Sequence, residues 1–266
     1  MMNTLENFKL FLLDMDGTIY LDNDLFDGTV DFLKYVKRIG GRYIFLTNNS
    51  SKSVDKYIEK LAKMGIDATG SDFLTSTDAT VVKLKKDNFK KIYALGTKSF
   101  KQQLAMSGLN ITDEISDGID CLCMGYDTEL TYKKLEDACK LLNRDIAYIA
   151  TNPDWVCPTY YGYAPDCGSV SKMLERATGK TPRFIGKPEP AMAELAMKMT
   201  GFKNSETAIV GDRLYTDIAC GVNAKIGTIF VLSGEGTTAD IDKYKIYPDF
   251  IFKNIQELQI KLAKGG

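Results

Sequence analysis

Short apolar runs of strand length alternate with segments of helical period along the whole chain, and this alternation limits the fold more than any other feature. Residues 8–13 read as a buried strand that ends in the polar turn 14–18. A helix follows, with Asp27 as its cap, Val30, Leu33, Val36 and Ile39 on one face, and Gly40-Gly41 closing it. Residues 42–46 form a second strand, then come the polar turn Thr47-Asn48-Asn49-Ser50 and a helix over 54–64. The rhythm returns near the C-terminus: a strand at 183–185, a helix at 190–200, a strand at 207–210 with Gly211-Asp212 at its carboxyl end, a short helix after Thr216, a strand at 227–232, an apolar run at 250–252 and a terminal helix from 255. Such alternation predicts an α/β fold with a doubly wound, mostly parallel, Rossmann-like sheet. Between the halves lie strands at 91–95, 119–124 and 147–150 and helices at 99–106, 132–142 and 169–178. That is enough chain for a smaller inserted α/β domain with its own core. The expected division is 1–77 with 182–266 for the larger domain and 78–181 for the insert.

The most restrictive count is zero: the 266 residues contain no histidine. Ser-His-Asp triads, Cys-His dyads, phosphohistidine chemistry and histidine-ligated zinc are excluded together. Acid–base work falls to carboxylates, lysine, tyrosine or cysteine. The net charge of −1 argues against a dedicated nucleic-acid binder. Six cysteines without a CxxC pair read as buried free thiols in a reducing compartment. The first residues lack a basic segment, and Asp14 interrupts their apolar run, so no signal peptide is expected. No apolar run approaches the roughly 18 residues of a membrane span. The expected location is the cytoplasm.

Four short motifs carry the chemistry. Asp14-Met15-Asp16-Gly17-Thr18 follows an apolar strand, so both aspartates can project into the crevice at the carboxyl edge of the sheet. Gly17 permits a sharp turn whose N–H groups face an anion. A capping turn, or the metal-binding DxD of a glycosyltransferase, fits the same residues. Thr47-Asn48 offers a hydroxyl and a backbone N–H to a phosphate oxygen, and equally an ordinary helix cap. Gly186-Lys187-Pro188 gives a lysine with a defined backbone direction, as pairing with phosphate requires, although an arbitrary lysine is usually solvated. Gly211-Asp212-Arg213-Leu214-Tyr215-Thr216-Asp217 adds two carboxylates after another strand. One crevice would then hold four aspartates, a threonine and a lysine, with a formal charge of −3 from the ionisable groups. Mutual repulsion makes that costly, and a divalent cation relieves it. Hard carboxylate oxygens without histidine or clustered thiolate point to Mg²⁺. Magnesium, lysine and an N–H-lined turn together suit a phosphoryl group.

In this order, DMDGT, TNN, GKPEP and GDRLYTDI resemble the haloacid dehalogenase-like superfamily of aspartate-nucleophile hydrolases. Thr47 follows Asp14 by 33 residues, too few for a second domain, whereas Lys187 follows Thr47 by 140. That layout is similar to the type 2 cap of the NagD-like and p-nitrophenyl phosphatase family, as are Thr151-Asn152-Pro153-Asp154 and Gly168-Ser169 within the insert. The resemblance implies a magnesium-dependent phosphatase acting on small phosphomonoesters. Asp14 would be the nucleophile, forming an aspartyl-phosphate. Asp16 would be the general acid and then the base. Mg²⁺ would be held by Asp14, the Asp16 backbone carbonyl and Asp212, with Asp217 orienting that shell or reaching the ion through water. Thr47, Asn48 and Lys187 would neutralise the transferring oxygens. Caps of this type also often mediate homodimers.

A glycosyltransferase leaves Lys187 and the Asp212/Asp217 pair without a role. A phospho-ligand sensor would be expected to have lost Asp14 or Asp16, and a mutase differs only in water access to the intermediate. The aromatic stretch 155–163 reads either as stacking on a flat leaving group or as the core of the insert. Residues 151–171 contain no lysine or arginine and carry −2, so monophosphates with uncharged leaving groups, such as nucleoside or sugar monophosphates, are expected over bisphosphates and phosphoglycolate.

Overall fold

The computed structural model describes residues 4–159 and 161–264. It divides into two compact units, one of Met1–Thr47, Val54–Leu74 and Lys187–Gly266, the other of Asn48–Ser53 and Thr75–Gly186.

The first unit is built on a six-stranded sheet in the order Phe250–Phe252, Gly227–Val231, Thr207–Gly211, Leu10–Leu13, Arg42–Thr47, Phe73–Thr75. Leu13 lies level with Val210 on one side and Phe45 on the other, both parallel. All four residues of Leu10–Leu13 are fully buried, as a central strand covered on both faces requires. Phe11 and Leu13 join Phe32, Val36, Phe45, Ile255 and Leu258 in one apolar cluster, with the Phe11 and Phe32 rings edge to face at 5.2 Å. Leu10 and Leu12 alternate away from that cluster, and the helix Ala191–Thr200 touches the same strand. Helices therefore cover both faces, and the fold is the α/β one read from the strand–helix rhythm.

The second unit has a five-stranded parallel sheet in the order Arg183–Phe184, Ala147–Ala150, Cys121–Met124, Ile92–Leu95, Ile111–Thr112. Its core joins Leu95, Leu122, Met124 and Ala150 to Leu141 and Leu174 from the helices Tyr132–Leu142 and Cys167–Thr178.

Several local readings differ from the structure. The helix Thr29–Arg38 is entered through Gly28 in the left-handed region, without a side-chain cap, so Asp27 does not cap it. The strand near 183 belongs to the second sheet, where Arg183 and Phe184 pair with Ile149 and Ala150. The helix Ser76–Asp87 was absent from the sequence reading. It starts at a capping box in which Thr75 and Asp78 exchange hydrogen bonds, so a border at residue 78 would cut through its first turn. Residues 48–53 join the second unit because its polar groups satisfy them: Ser50 Oγ accepts from the Tyr126 N–H and meets Thr151 Oγ1 at 3.0 Å, and the Ser51 carbonyl accepts from Thr97.

The aromatic stretch is a hairpin, Val156–Thr159 against Gly162–Pro165, rather than core. Trp155, Tyr161 and Tyr163 are all more than half exposed, and Tyr160 lies outside the described residues. None of the six cysteines is in a disulfide; four are buried, while Cys139 and Cys157 are half-buried.

Candidate active site

Three strands of the first sheet end side by side. Leu10–Leu13 hands over to Asp14, whose N–H is bonded to the Val210 carbonyl at 2.9 Å. Thr207–Gly211 hands over to Asp212, and Arg42–Thr47 ends on Thr47. These residues gather because strand termini in a parallel sheet align along one edge. Lys187 does not continue a strand of this sheet, contrary to the sequence reading. It enters on the segment that leaves Arg183–Phe184 of the other sheet.

The chain after Asp14 turns tightly, with the Thr18 and Ile19 N–H groups both on the Met15 carbonyl and the Gly17 N–H on that of Tyr20. Gly17 stands at φ +87°, and a Cβ there would lie 2.5 Å from Asp212 Oδ2. Only glycine allows this turn to approach the segment that carries Asp212.

Asp14, Asp212 and Asp217 each present a carboxylate oxygen within 4.8 Å of the others. Lys187, 2% exposed, joins two of them, with Nζ 2.5 Å from Asp14 Oδ1 and 2.6 Å from Asp217 Oδ1. Both oxygens of Asp217 are engaged, since Oδ2 accepts from the Arg213 N–H at 3.1 Å. Asp217 thus orients Lys187 and the turn after Asp212. Asp212 accepts from Thr18 Oγ1 at 3.3 Å and from the Glu235 N–H at 2.7 Å.

The electrostatics show strain relieved only in part. Burial, then the Asp217 charge, pushes the Asp14 carboxyl well above the usual carboxylate range, against the pull of Lys187. Burial and Asp217 push Asp212 up to about 6. Burial works against the Lys187 charge, but Asp14 and Asp217 outweigh it and hold the amine protonated. Three close carboxylates against one ammonium leave an excess of negative charge in a buried place. An all-oxygen donor set of this kind fits a hard divalent cation. All three carboxylates already accept hydrogen bonds, and Lys187 is shared between Asp14 and Asp217.

Asp16 lies outside this trio. Its side chain is 54% exposed, accepts from the Tyr20 hydroxyl at 3.4 Å and stands 3.7 Å from Lys60 Nζ. Thr47 and Asn48, read as a pair, fall on either side of the division between units. The Asn48 amide donates to Asp154 Oδ1 at 3.0 Å, and its carbonyl accepts from Ser76 Oγ and Asn152 Nδ2. The side chain of Asn48 is therefore a tie within the second unit, and Asp154 of the TNPD motif is its partner. Sequence reasoning missed the roles of Thr18 and of the segment Ser233-Gly234-Glu235-Gly236. A glycine-rich turn directly after the strand 227–232 was the available signal.

The chain matches the family described as "Haloacid dehalogenase-like hydrolase" over residues 11–110 and a second, HAD-hydrolase-like description over 184–258. An acid sugar phosphatase of Staphylococcus aureus is 34% identical over 261 residues, covering 98% of this chain and all of the relative. A 4-nitrophenylphosphatase from Thermotoga maritima superposes with a TM-score of 0.91 at 40% identity, over 97% of this chain and 98% of that one. NagD from E. coli K-12 does so with a TM-score of 0.86 at 31% identity, over 94% of this chain and 98% of that one.

Proposed function

The chain belongs to the haloacid dehalogenase-like hydrolases, in the group of NagD and the p-nitrophenyl phosphatases, and from that premise we propose that it is a magnesium-dependent phosphatase of small phosphomonoesters, of the sugar or nucleoside monophosphate type. The observation that carries this reading is Lys187 held between Asp14 and Asp217, with Asp212 in the same cluster. A carboxylate nucleophile and a fixed ammonium stand together where a phosphoryl group would lie.

In this mechanism Asp14 attacks phosphorus in line, the bond to the ester oxygen breaks, and Asp16 protonates the leaving oxygen. Asp16 then takes a proton from water as the water attacks the aspartyl-phosphate. Phosphate leaves and the Asp14 carboxylate is restored. The exposure of Asp16 suits a group that exchanges its proton with leaving alcohol and water. Lys187, the Thr47 hydroxyl and the Asn48 N–H neutralise the equatorial oxygens. Asp14, Asp212 and the Asp16 carbonyl would hold Mg²⁺, with Asp217 behind them. When bound, the ion offsets the charge of the carboxylates and the phosphoryl group.

The acid sugar phosphatase relative supports the substrate class, as does the absence of any basic residue in 151–171. Six cysteines with no disulfide among them support a reducing, cytoplasmic location. Among the described residues no helix is long and apolar enough to cross a membrane. The test compares kcat/KM for a hexose phosphate, a nucleoside monophosphate, phosphoglycolate and fructose 1,6-bisphosphate, with Asp14→Asn as the control. The first two substrates should lead, and Asp14→Asn should lose at least ~10³-fold on all of them. A lead for either of the last two overturns the substrate class. Turnover by Asp14→Asn within a few-fold of the parent overturns the nucleophile.

A further inference from the structure

The segment Ser233-Gly234-Glu235-Gly236 follows the strand Gly227–Val231, two places from the nucleophile's strand in the sheet order. It brings no side chain to the carboxylate cluster, yet it touches both acidic motifs. Ser233 Oγ donates to the Gly17 carbonyl at 2.7 Å. The Glu235 N–H donates to Asp212 Oδ2 at 2.7 Å, and the Gly236 N–H to the Asp212 carbonyl at 3.0 Å. A Cβ on Gly234 would lie 2.0 Å from Asp212 Oδ2, so the backbone is in direct contact with that carboxylate. The Glu235 side chain faces the other way: Oε1 accepts from the Tyr215 hydroxyl at 3.0 Å and Oε2 pairs with Arg213 Nε at 2.9 Å. Arg213 and Tyr215 both belong to the turn that carries Asp212 and Asp217.

We propose that Glu235 is a positioning residue for the metal ligand Asp212: its carboxylate anchors residues 233–236 to Arg213 and Tyr215, and that anchor aims the Glu235 N–H and the Gly234 backbone at Asp212. The proposal rests on the reading of Asp212 as a magnesium ligand. A carboxylate of two equivalent oxygens can rotate about its Cβ–Cγ bond. The donors from Thr18 and Glu235 hold one oxygen each and remove that freedom before any ion arrives. Groups that orient ligands in this way commonly change metal affinity by about 10–100-fold when removed.

The experiment measures Mg²⁺ binding to metal-free protein by calorimetry, alongside the melting temperature with and without Mg²⁺. Glu235→Ala should weaken Mg²⁺ binding about tenfold, at the lower end for an outer partner, and Glu235→Gln, which keeps the Tyr215 hydrogen bond, should recover part of that. Gly234→Ala should weaken it further through the Cβ contact. In Glu235→Ala the melting temperature of metal-free protein should hold while the rise on adding Mg²⁺ shrinks, and saturating Mg²⁺ should restore kcat for p-nitrophenyl phosphate. Parental Mg²⁺ affinity in Glu235→Ala overturns the positioning role, whatever Gly234→Ala does. So does an affinity loss in Glu235→Ala that merely follows a fall in metal-free melting temperature. Asp212→Asn is measured in parallel. If it binds Mg²⁺ as the parent does, the ligand reading itself fails, separately from the role of Glu235.

Discussion

Lys187 is the residue on which the charge balance of the site turns. Buried and paired with two carboxylates, it separates Asp14 from Asp217 and compensates part of the charge that Asp212 adds. Removing one partner of a buried ion pair costs about 3–5 kcal/mol, because the charge left behind has no water to stabilise it. Lys187→Met keeps the apolar stem and deletes only the ammonium. In metal-free protein it should lower unfolding stability in urea by that amount, with a smaller loss once Mg²⁺ is present, and it should cut turnover by about 10²–10³-fold. Unchanged stability in EDTA would overturn the ion-pair description. A lysine between glycine and proline was visible in the sequence. Its partners were not, since they lie 173 and 30 residues away.

At the scale of single elements, the helix Ser76–Asp87 shows how a short signal sets a boundary. Thr75 and Asp78 form its capping box, and the other oxygen of Asp78 accepts from Gln103 Nε2 at 2.8 Å. Thr75→Ala removes the hydroxyl that accepts from the Asp78 N–H, and such cap losses cost about 1 kcal/mol. Hydrogen exchange should then accelerate in the first turn of this helix by about fivefold, the equivalent of 1 kcal/mol, while the strand Cys121–Met124 keeps its protection. Uniform loss of protection across the second unit would mean that Thr75 supports the whole unit and not the helix start alone. The helix escaped the periodicity reading because its sequence, STDATVVKLKKD, has a weakly sided apolar pattern; the capping box was the better signal.

For the molecule as a whole, the chain passes between its two units four times, at 47/48, 53/54, 74/75 and 186/187. The carboxylate cluster and Lys187 lie entirely in the first unit. A ligand that binds only the folded state stabilises it by mass action, by about 2.7 kcal/mol at one hundred times its dissociation constant. Mg²⁺ should therefore raise hydrogen-exchange protection in Leu10–Leu13, Thr207–Gly211 and Gly227–Val231 before it changes the strands of the second sheet. EDTA should abolish turnover and Mg²⁺ restore it, while Ca²⁺, with its larger and looser shell, should inhibit. Full turnover after exhaustive chelation would sink the metal assignment and the role of Asp212 together.

Much of this was determined by the sequence alone. A fully apolar run such as Leu10–Leu13, followed by a glycine turn with two aspartates, states its strand, its end and its acidic chemistry through neighbouring residues, because strand propensity and turn preference are local properties. Four such motifs in order sufficed to identify the family. Tertiary structure decided what depends on contacts between distant segments. It assigned the two-residue strand Arg183–Phe184 to the second sheet, since so short a run belongs to whichever edge offers it hydrogen bonds. It committed the Asn48 amide to Asp154, put Trp155, Tyr161 and Tyr163 on an exposed hairpin, and set the Glu235 N–H on Asp212. Neutralising a buried charge and satisfying a backbone donor are pairwise events, and the partner exists only once the chain has folded.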